Sequence, residues 1–324
     1  MKAIIVANDA EHTLSWQDVA GPTCSSHQAL VDIHATAVNR ADLLQRSGNY
    51  PPPDGAPPYM GLEMSGTITA VGDDVENFRP GDRVFGLLTG GGYAEQVAVP
   101  ATHLLPLPDE RDFAWGAAIA EVFLTSFTNL FIEAGLQEGE TVLIHGGASG
   151  VGTAAIQLCR EAGCKVLITA GTNAKIARCR ELGADLAINY KEQDFAEAVL
   201  AHVDGVDVIL DISGADYLAR NIRLLKLRGR LVVIALLTGA DAQINLQQMM
   251  VKRLRLIGSV LRSRSDGEKT AIIAAFKKRF WPMLVDGTMQ TVIEEILPIE
   301  RAADAQAILA KNRNIGKVIL QVRP

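Results

Sequence analysis

The stretch that decides the fold is residues 140–161, ETVLIHGGASGVGTAAIQLCRE. Residues 141–145 are a short apolar run rich in β-formers, residues 146–152 are a glycine-rich turn, and residues 153–160 form a small-residue helix with no breaker. Strand, glycine turn, helix is the order in which a chain cradles a dinucleotide. The turn needs residues without a Cβ because the backbone must come close to a pyrophosphate. The helix then offers unpaired N–H groups and the positive end of its dipole to the anion. The spelling is not the standard one: Gly146, Ser149 and Gly152 give G-x-x-S-x-x-G, while Gly147, Gly150 and Gly152 give G-x-x-G-x-G. Glycine turns also join strand to helix in folds that bind nothing, so the flanking elements and the βα units that follow carry the reading.

Toward the C-terminus, strand patterns at 165–169, 185–189, 206–212, 230–235 and 254–260 alternate with helical patterns at 153–162, 174–182, 195–202, 217–227 and 246–252. Apolar strands alternating with amphipathic helices demand a parallel sheet covered on both faces, a doubly wound α/β domain. Toward the N-terminus, residues 117–134 read as a helix. Before it come short strands at 3–6, 29–38, 65–71, 83–88 and 96–99, one helical turn at 39–46, and turn clusters such as Arg79-Pro80-Gly81-Asp82 and Gly90-Gly91-Gly92. These suggest a compact barrel. Residues 50–59, YPPPDGAPPY, cannot be a helix or a central strand, and form either a stiff surface loop or, with a tyrosine at each end, the wall of a cleft.

The tail returns to a helix at 269–286, a strand at 291–298, a helix at 300–310 and a strand at 317–322. It is too short for a third domain and is expected to complete the first. The expected organisation is therefore a barrel from 1–120 with 266–324 and a dinucleotide domain over 121–265, consistent with 324 residues at roughly 150 per domain.

Hydrophobic residues make up 48% and charged ones 21%, and the net charge is −6, so neither nucleic acid nor an anionic membrane is the expected partner. Cys24, Cys159, Cys164 and Cys179 show no C-x-x-C pair and no metal-ligand spacing, which fits buried thiols in a reducing compartment. The chain enters a strand pattern at its start without a leader pattern, and no apolar run approaches membrane-spanning length, so a cytoplasmic protein is expected.

The end of the second strand of such a sheet discriminates between nicotinamide cofactors, because an acid there would bond the ribose 2′-hydroxyl and repel a 2′-phosphate. Here that strand ends Ile168-Thr169-Ala170-Gly171-Thr172-Asn173 with no carboxylate; Lys175 follows, and Tyr190 ends the third strand. Gly171 leaves room, Thr172 offers a hydroxyl and Lys175 a point charge, a set suited to phosphate, so NADPH is expected. A solvated lysine in a first helical turn is the plainer alternative for Lys175.

The stretches AVNRADLLQRSGNYPPP, GLEMSGTI, PGDRVFGLLTGGGYAEQV, LIHGGASGVGTAAIQL, NYKEQDF, SVLRSR and NIGKVIL span essentially the whole chain. In this order they resemble the zinc-independent medium-chain dehydrogenase/reductase superfamily in its zeta-crystallin-like quinone oxidoreductase branch, with the tumour-suppressor-inducible group the most similar. The resemblance implies a GroES-like β-barrel catalytic domain beside a Rossmann-type sheet. Alcohol dehydrogenases of the superfamily hold a catalytic zinc with a Cys and with the His of a G-H-E motif. Asn39 and Leu62 stand at those positions, so no metal is expected and alcohol dehydrogenation is disfavoured.

A metal-free hydride donor needs an acceptor that is already electrophilic, such as a quinone or activated enone. By resemblance Tyr50 and Asn39 are the catalytic candidates; a half-buried loop aromatic is the alternative for Tyr50. The resemblance places Asn39, Thr125, Ser149, Gly150, Val151, Gly152, Gly171, Thr172, Lys175, Tyr190, Leu236, Leu237, Leu261, Arg262, Ser263 and Asn314 along the dinucleotide. Arg262 and Arg264 either reach phosphate, cap the cleft or are isolated surface arginines. The strand at 254–260 would lie at the sheet edge and pair with a second subunit in a homodimer. The expected activity is NADPH-dependent quinone reduction. An enone, alkenal or enoyl-thioester reductase, or a crystallin-like cofactor-binding structural or regulatory protein, are the alternatives.

Overall fold

The computed structural model describes residues 1–323, and the chain divides into two compact units, Met1–Leu124 together with the chain from Arg262, and Thr125–Leu261. The first unit begins with β1 (Lys2–Val6), β2 (Leu14–Asp18), β3 (Gln28–Ala37), α1 (Arg40–Arg46), β4 (Glu63–Val71), β5 (Arg83–Leu87), β6 (Gln96–Pro100), β7 (Leu104–Pro106) and α2 (Phe113–Ala117). Helix α3 (Ala120–Phe127) leads into the second unit.

That unit runs β8 (Thr141–His145), α4 (Gly150–Glu161), β9 (Lys165–Ala170), α5 (Asn173–Glu181), β10 (Leu186–Asn189), α6 (Phe195–Leu200), β11 (Val206–Asp211), α7 (Ala215–Leu224), β12 (Leu225–Val233), α8 (Leu246–Lys252) and β13 (Arg255–Gly258). The chain then returns to the first unit with α9 (Asp266–Arg279), α10 (Trp281–Val285), β14 (Ile293–Pro298), α11 (Ala302–Ala310) and β15 (Lys317–Gln321).

In the first unit β3 is the hub. It is antiparallel to β4 on one side, and on the other to β6 over its first half and to β15 over its end. Its sequence, QALVDIHATA, explains this: Ala29, Val31, Ile33 and Ala35 alternate into the core while Gln28, Leu30, Asp32 and His34 stay half-buried. β15 also pairs with β14, which brings the C-terminal tail into the same seven-stranded sheet in a GroES-like fold.

The second unit is a Rossmann-like parallel sheet in the order β10-β9-β8-β11-β12-β13. Leu143, Leu167, Ile188, Ile209 and Leu231, one from each of five neighbouring strands, form one buried cluster with Phe195, Val199 and Ile222 from the covering helices. The order reverses between β8 and β11, the switch point outside whose strand ends such sheets bind ligands.

Several elements differ from the sequence expectation. The helix at 269–286 is two helices, because Pro282 enters the first turn of α10 and the chain bends at Phe280. The strand at 230–235 begins five residues earlier, since Arg228 takes a left-handed φ of 64° and the register against β11 shifts between Val206 and Val208; α7 accordingly ends at Leu224. The helix at 117–134 is α3 followed by a π-helical turn over Thr128–Glu133, where Ala134 N–H reaches Asn129 O. The helical run Phe113–Glu133 is also, by length and hydropathy, apolar enough to cross a membrane, contrary to expectation, but 78% of its apolar window is buried within the protein. It is a core segment. Strands β2 and β7 and helix α2 are not among the elements expected from the sequence.

Candidate cofactor and active site

Ser149 is the N-cap of α4: its Oγ accepts the Gly152 N–H at 3.0 Å. A Cβ on Gly152 would stand 2.4 Å from Gly146 O, so the helix can press onto the turn only with glycine there. Gly150 opens the helix, and Val151 O accepts the Ser126 hydroxyl at 2.9 Å. Thr125 is buried, and its carbonyl accepts from Asn129 Nδ2 at 2.7 Å. The turn is thus rigid, with the free N–H groups of a twelve-residue helix at its mouth.

Beneath the turn lies a polar chain that sequence reading missed. Gly146 N–H donates to Thr169 Oγ1 at 3.3 Å, and Thr169 Oγ1 meets His145 Nδ1 at 3.1 Å. His145 Nε2 meets Asn221 Oδ1 at 2.8 Å, and Asn221 Nδ2 donates to Asp211 Oδ2 at 3.2 Å. Asp211 then accepts the N–H groups of Ser213 and Gly214. Because Asn221 gives its N–H to the carboxylate, its oxygen must accept from His145, which places a proton on Nε2, and burial keeps the imidazole neutral. Burial, the dominant influence, pushes His145 down to about 4 and Asp211 up to about 6. The chain ties the C-terminal ends of β8, β9 and β11 together below the switch point.

At the end of β9, Thr172 caps α5, its Oγ1 accepting the Lys175 N–H at 3.4 Å. A Cβ on Gly171 would lie 2.7 Å from the Tyr190 hydroxyl and 3.4 Å from Lys191 Cε. Tyr190 and Lys191, the latter passed over in the sequence reading, therefore close on Gly171, while Thr172 and Lys175 stand at the start of α5 just after it. Tyr190 is 42% exposed. The acid on this rim, Glu192, is held by Asn189 Nδ2 at 2.8 Å and Asn173 Nδ2 at 3.2 Å. Leu236 and Leu237 are exposed on a loop laid over the one that follows β11, with Leu237 N–H on Ile212 O and Thr238 N–H on Ser213 O. Leu261 is buried at the end of the unit.

In the barrel unit Asn39 precedes α1, and Asp42, fully buried, accepts the N–H groups of Asn39 (2.7 Å) and Gly61 (3.2 Å) and the Tyr93 hydroxyl (3.1 Å). Burial pushes Asp42 up to about 6 against these bonds and the charge of Lys317. The Asn39 side chain is itself enclosed: Oδ1 accepts from Lys317 Nζ at 2.6 Å, and Nδ2 donates to Glu63 Oε1 at 2.9 Å.

Tyr50 is half-buried with the Arg262 guanidinium 5.2 Å from its ring centre. Arg262 is not a surface arginine. It is 4% exposed and donates to Thr89 O, Gln45 Oε1 and Tyr50 O at 2.7, 2.8 and 3.4 Å, pinning the proline-rich loop. Arg264 is partly buried and pairs with Glu268 at 3.9 Å, Ser263 is exposed on the turn between them, and Asn314 Nδ2 donates to Gly316 O at 2.7 Å.

Residues 25–109 match the model of the alcohol dehydrogenase GroES-like domain, and residues 150–277 match that of the zinc-binding dehydrogenases. The quinone oxidoreductase of Rattus norvegicus is 34% identical over 307 residues, covering 94% of this chain and 92% of its own. The chain belongs to the quinone oxidoreductase family. Among solved members, the quinone oxidoreductase of Pseudomonas syringae pv. Tomato DC3000 is 29% identical with a TM-score of 0.87 over 99% of both chains. The Escherichia coli quinone oxidoreductase, solved in complex with NADPH, is 25% identical with a TM-score of 0.88 over 99% of both chains.

The zinc implied by the name of the second model does not fit these residues. Asn39 Oδ1 is bound to an ammonium, and the buried Leu62 has no donor atom. Among the described residues no three His, Cys, Asp or Glu side chains gather as metal ligands. A dinucleotide does fit the second unit of this quinone oxidoreductase family member, because a capped glycine turn is accompanied by a lysine-bearing strand end whose acid, Glu192, is already held by Asn173 and Asn189.

Proposed function

We propose that the chain is an NADPH-dependent quinone oxidoreductase that works without a metal. The observation that carries this is that Asn39, at one zinc-ligand position of the superfamily's dehydrogenases, is held between Glu63 and Lys317, while Leu62, at the other, has no donor atom. With no Lewis acid to stabilise an alkoxide, the acceptor must already be electrophilic, which favours a quinone. NADPH, when bound, supplies the hydride.

The capped N-terminus of α4 takes the pyrophosphate, and Lys175, Tyr190 and Lys191 around Gly171 take the 2′-phosphate. The Thr125, Leu236, Leu237, Leu261, Arg262, Ser263 and Asn314 assignments rest on the resemblance. Tyr50 and Asn39 are the acceptor-contacting candidates. Burial first, and then Glu121, raises the Tyr50 phenol against the opposing charge of Arg262, so Tyr50 stays protonated and able to donate at neutral pH.

A cytoplasmic homodimer belongs to the same reading. β13 is the last strand of its sheet, paired within the chain only to β12, and its open edge suits a second copy. Cys159, Cys164 and Cys179 are buried, which suits a reducing compartment.

The test is steady-state oxidation of NADPH by the purified protein with a panel of quinones, alkenals and 2-enoyl thioesters. Quinone turnover with preference for NADPH over NADH is expected. Faster turnover of the enones would reassign the acceptor, and tight NADPH binding with no turnover of any acceptor would leave a cofactor-binding structural protein.

A further inference from the structure

Lys317, Glu63 and Asn39 close on one another inside the barrel unit. Resting on the quinone-reductase reading, we propose that Lys317 is a positioning residue that fixes the direction of the Asn39 amide for turnover. Lys317 is 3% exposed and Glu63 fully buried, with Nζ and Oε1 2.8 Å apart. The ammonium has three protons and three acceptors: Glu63 Oε1, Asn39 Oδ1 at 2.6 Å and Val38 O at 3.1 Å. Glu63 Oε1 also accepts Asn39 Nδ2 at 2.9 Å, and Glu63 Oε2 accepts the Glu121 N–H at 2.8 Å.

An amide held between a buried cation and a buried anion has one orientation. Turned over, it would set its carbonyl against the carboxylate and its NH2 against the ammonium. Asn39 Nδ2 has two protons. One goes to Glu63; among the described residues the other reaches Ala37 O at 3.4 Å, at the outer limit of a hydrogen bond. That second proton is the one an acceptor oxygen can take, and the cation on Oδ1 polarises the amide toward donating it. A buried ion pair is a poor device for stability alone, since well-packed apolar residues serve as well or better. Its usefulness here is direction. Lys317 lies in NIGKVIL, 278 residues from Asn39, and only the pairing of β15 with β3 brings it to the site.

The experiment compares the full-length wild type with Lys317→Met, Lys317→Arg and the double variant Glu63→Gln with Lys317→Met. It reads thermal stability, kcat and KM at saturating NADPH, and hydrogen exchange of the side-chain amides under selective 15N-asparagine labelling. The single Met variant strands a buried carboxylate and is expected to lose stability. The double variant removes both charges and is expected to recover it. Its kcat should nonetheless stay down by about tenfold or more, part of the roughly 10²–10³ that outright loss of one oriented donor costs, with KM little changed. Its Asn39 amide protons, slow to exchange in the wild type, should exchange fast, and Lys317→Arg should restore part of both. A double variant with wild-type kcat, or with Asn39 protected as in the wild type, overturns the proposal. A wild type that turns over no quinone defeats the functional reading instead, and amide exchange then decides the role of Lys317 by itself.

Discussion

The neutral His145 under the glycine turn makes a pH-dependent contribution whose sign and size can be worked out. Its ordinary value of 6.5 falls to about 4 in the folded protein, mainly through burial. Between these values the unfolded chain binds a proton that the folded chain does not, so stability is lost as pH falls from 6.5 toward 4. At 1.36 kcal/mol per pK unit the loss reaches about 3 kcal/mol. Asp42 and Asp211, both raised from 3.8 to about 6, work in the opposite sense, because each holds a proton in the folded state that the unfolded chain has released. Wild-type stability alone therefore mixes opposing slopes.

The difference between wild type and His145→Gln isolates the imidazole. Gln can keep both hydrogen bonds, and whatever packing it loses against Phe195 and Tyr217, whose ring centres lie 4.9 Å from that of His145, does not titrate. Urea unfolding at a series of pH values should show the wild type losing its advantage over the variant by about 3 kcal/mol between pH 6.5 and 4. A difference that stays flat with pH would refute the buried neutral imidazole and the bond directions deduced from it.

Three other outcomes are expected. Lys175→Asp should raise the KM for NADPH by about tenfold or more, as loss of a charge-assisted phosphate contact requires, while hardly moving that for NADH; equal effects would remove Lys175 from the 2′-phosphate site. Gly152→Ala would place its Cβ 2.4 Å from Gly146 O, and should cost about 1–3 kcal/mol of stability with a parallel loss of NADPH affinity read by nicotinamide fluorescence; unchanged affinity would count against the cradle. Tyr50→Phe keeps the ring under Arg262 and should lower quinone kcat by about tenfold if the phenol donates a hydrogen bond. An unchanged kcat would leave the ring as packing.

Much was legible in the sequence because it is local. The order of strand, glycine turn and helix at 140–161, the alternating βα pattern behind it and the two-domain organisation follow from periodicity and from residues that punctuate it. The missing acid after Ala170 and the non-ligand residues at Asn39 and Leu62 are likewise properties of single positions. Ser149 needed the structure: only the bond from Gly152 N–H shows it to be a helix cap.

What remained hidden depends on residues far apart in the chain. Arg262 meets Gln45 and Thr89, His145 meets Asn221, Lys191 closes on Gly171, and Lys317 meets Glu63 and Asn39. No periodicity encodes such pairs, since a lysine destined for the core and one destined for solvent look the same in sequence until the strands beside them are paired. The sequence by itself determined the order of strand, glycine turn and helix that suits a dinucleotide. Tertiary structure alone decided which side chains hold that turn rigid and which buried cation directs the Asn39 amide, because burial and charge pairing exist only once the sheets have closed.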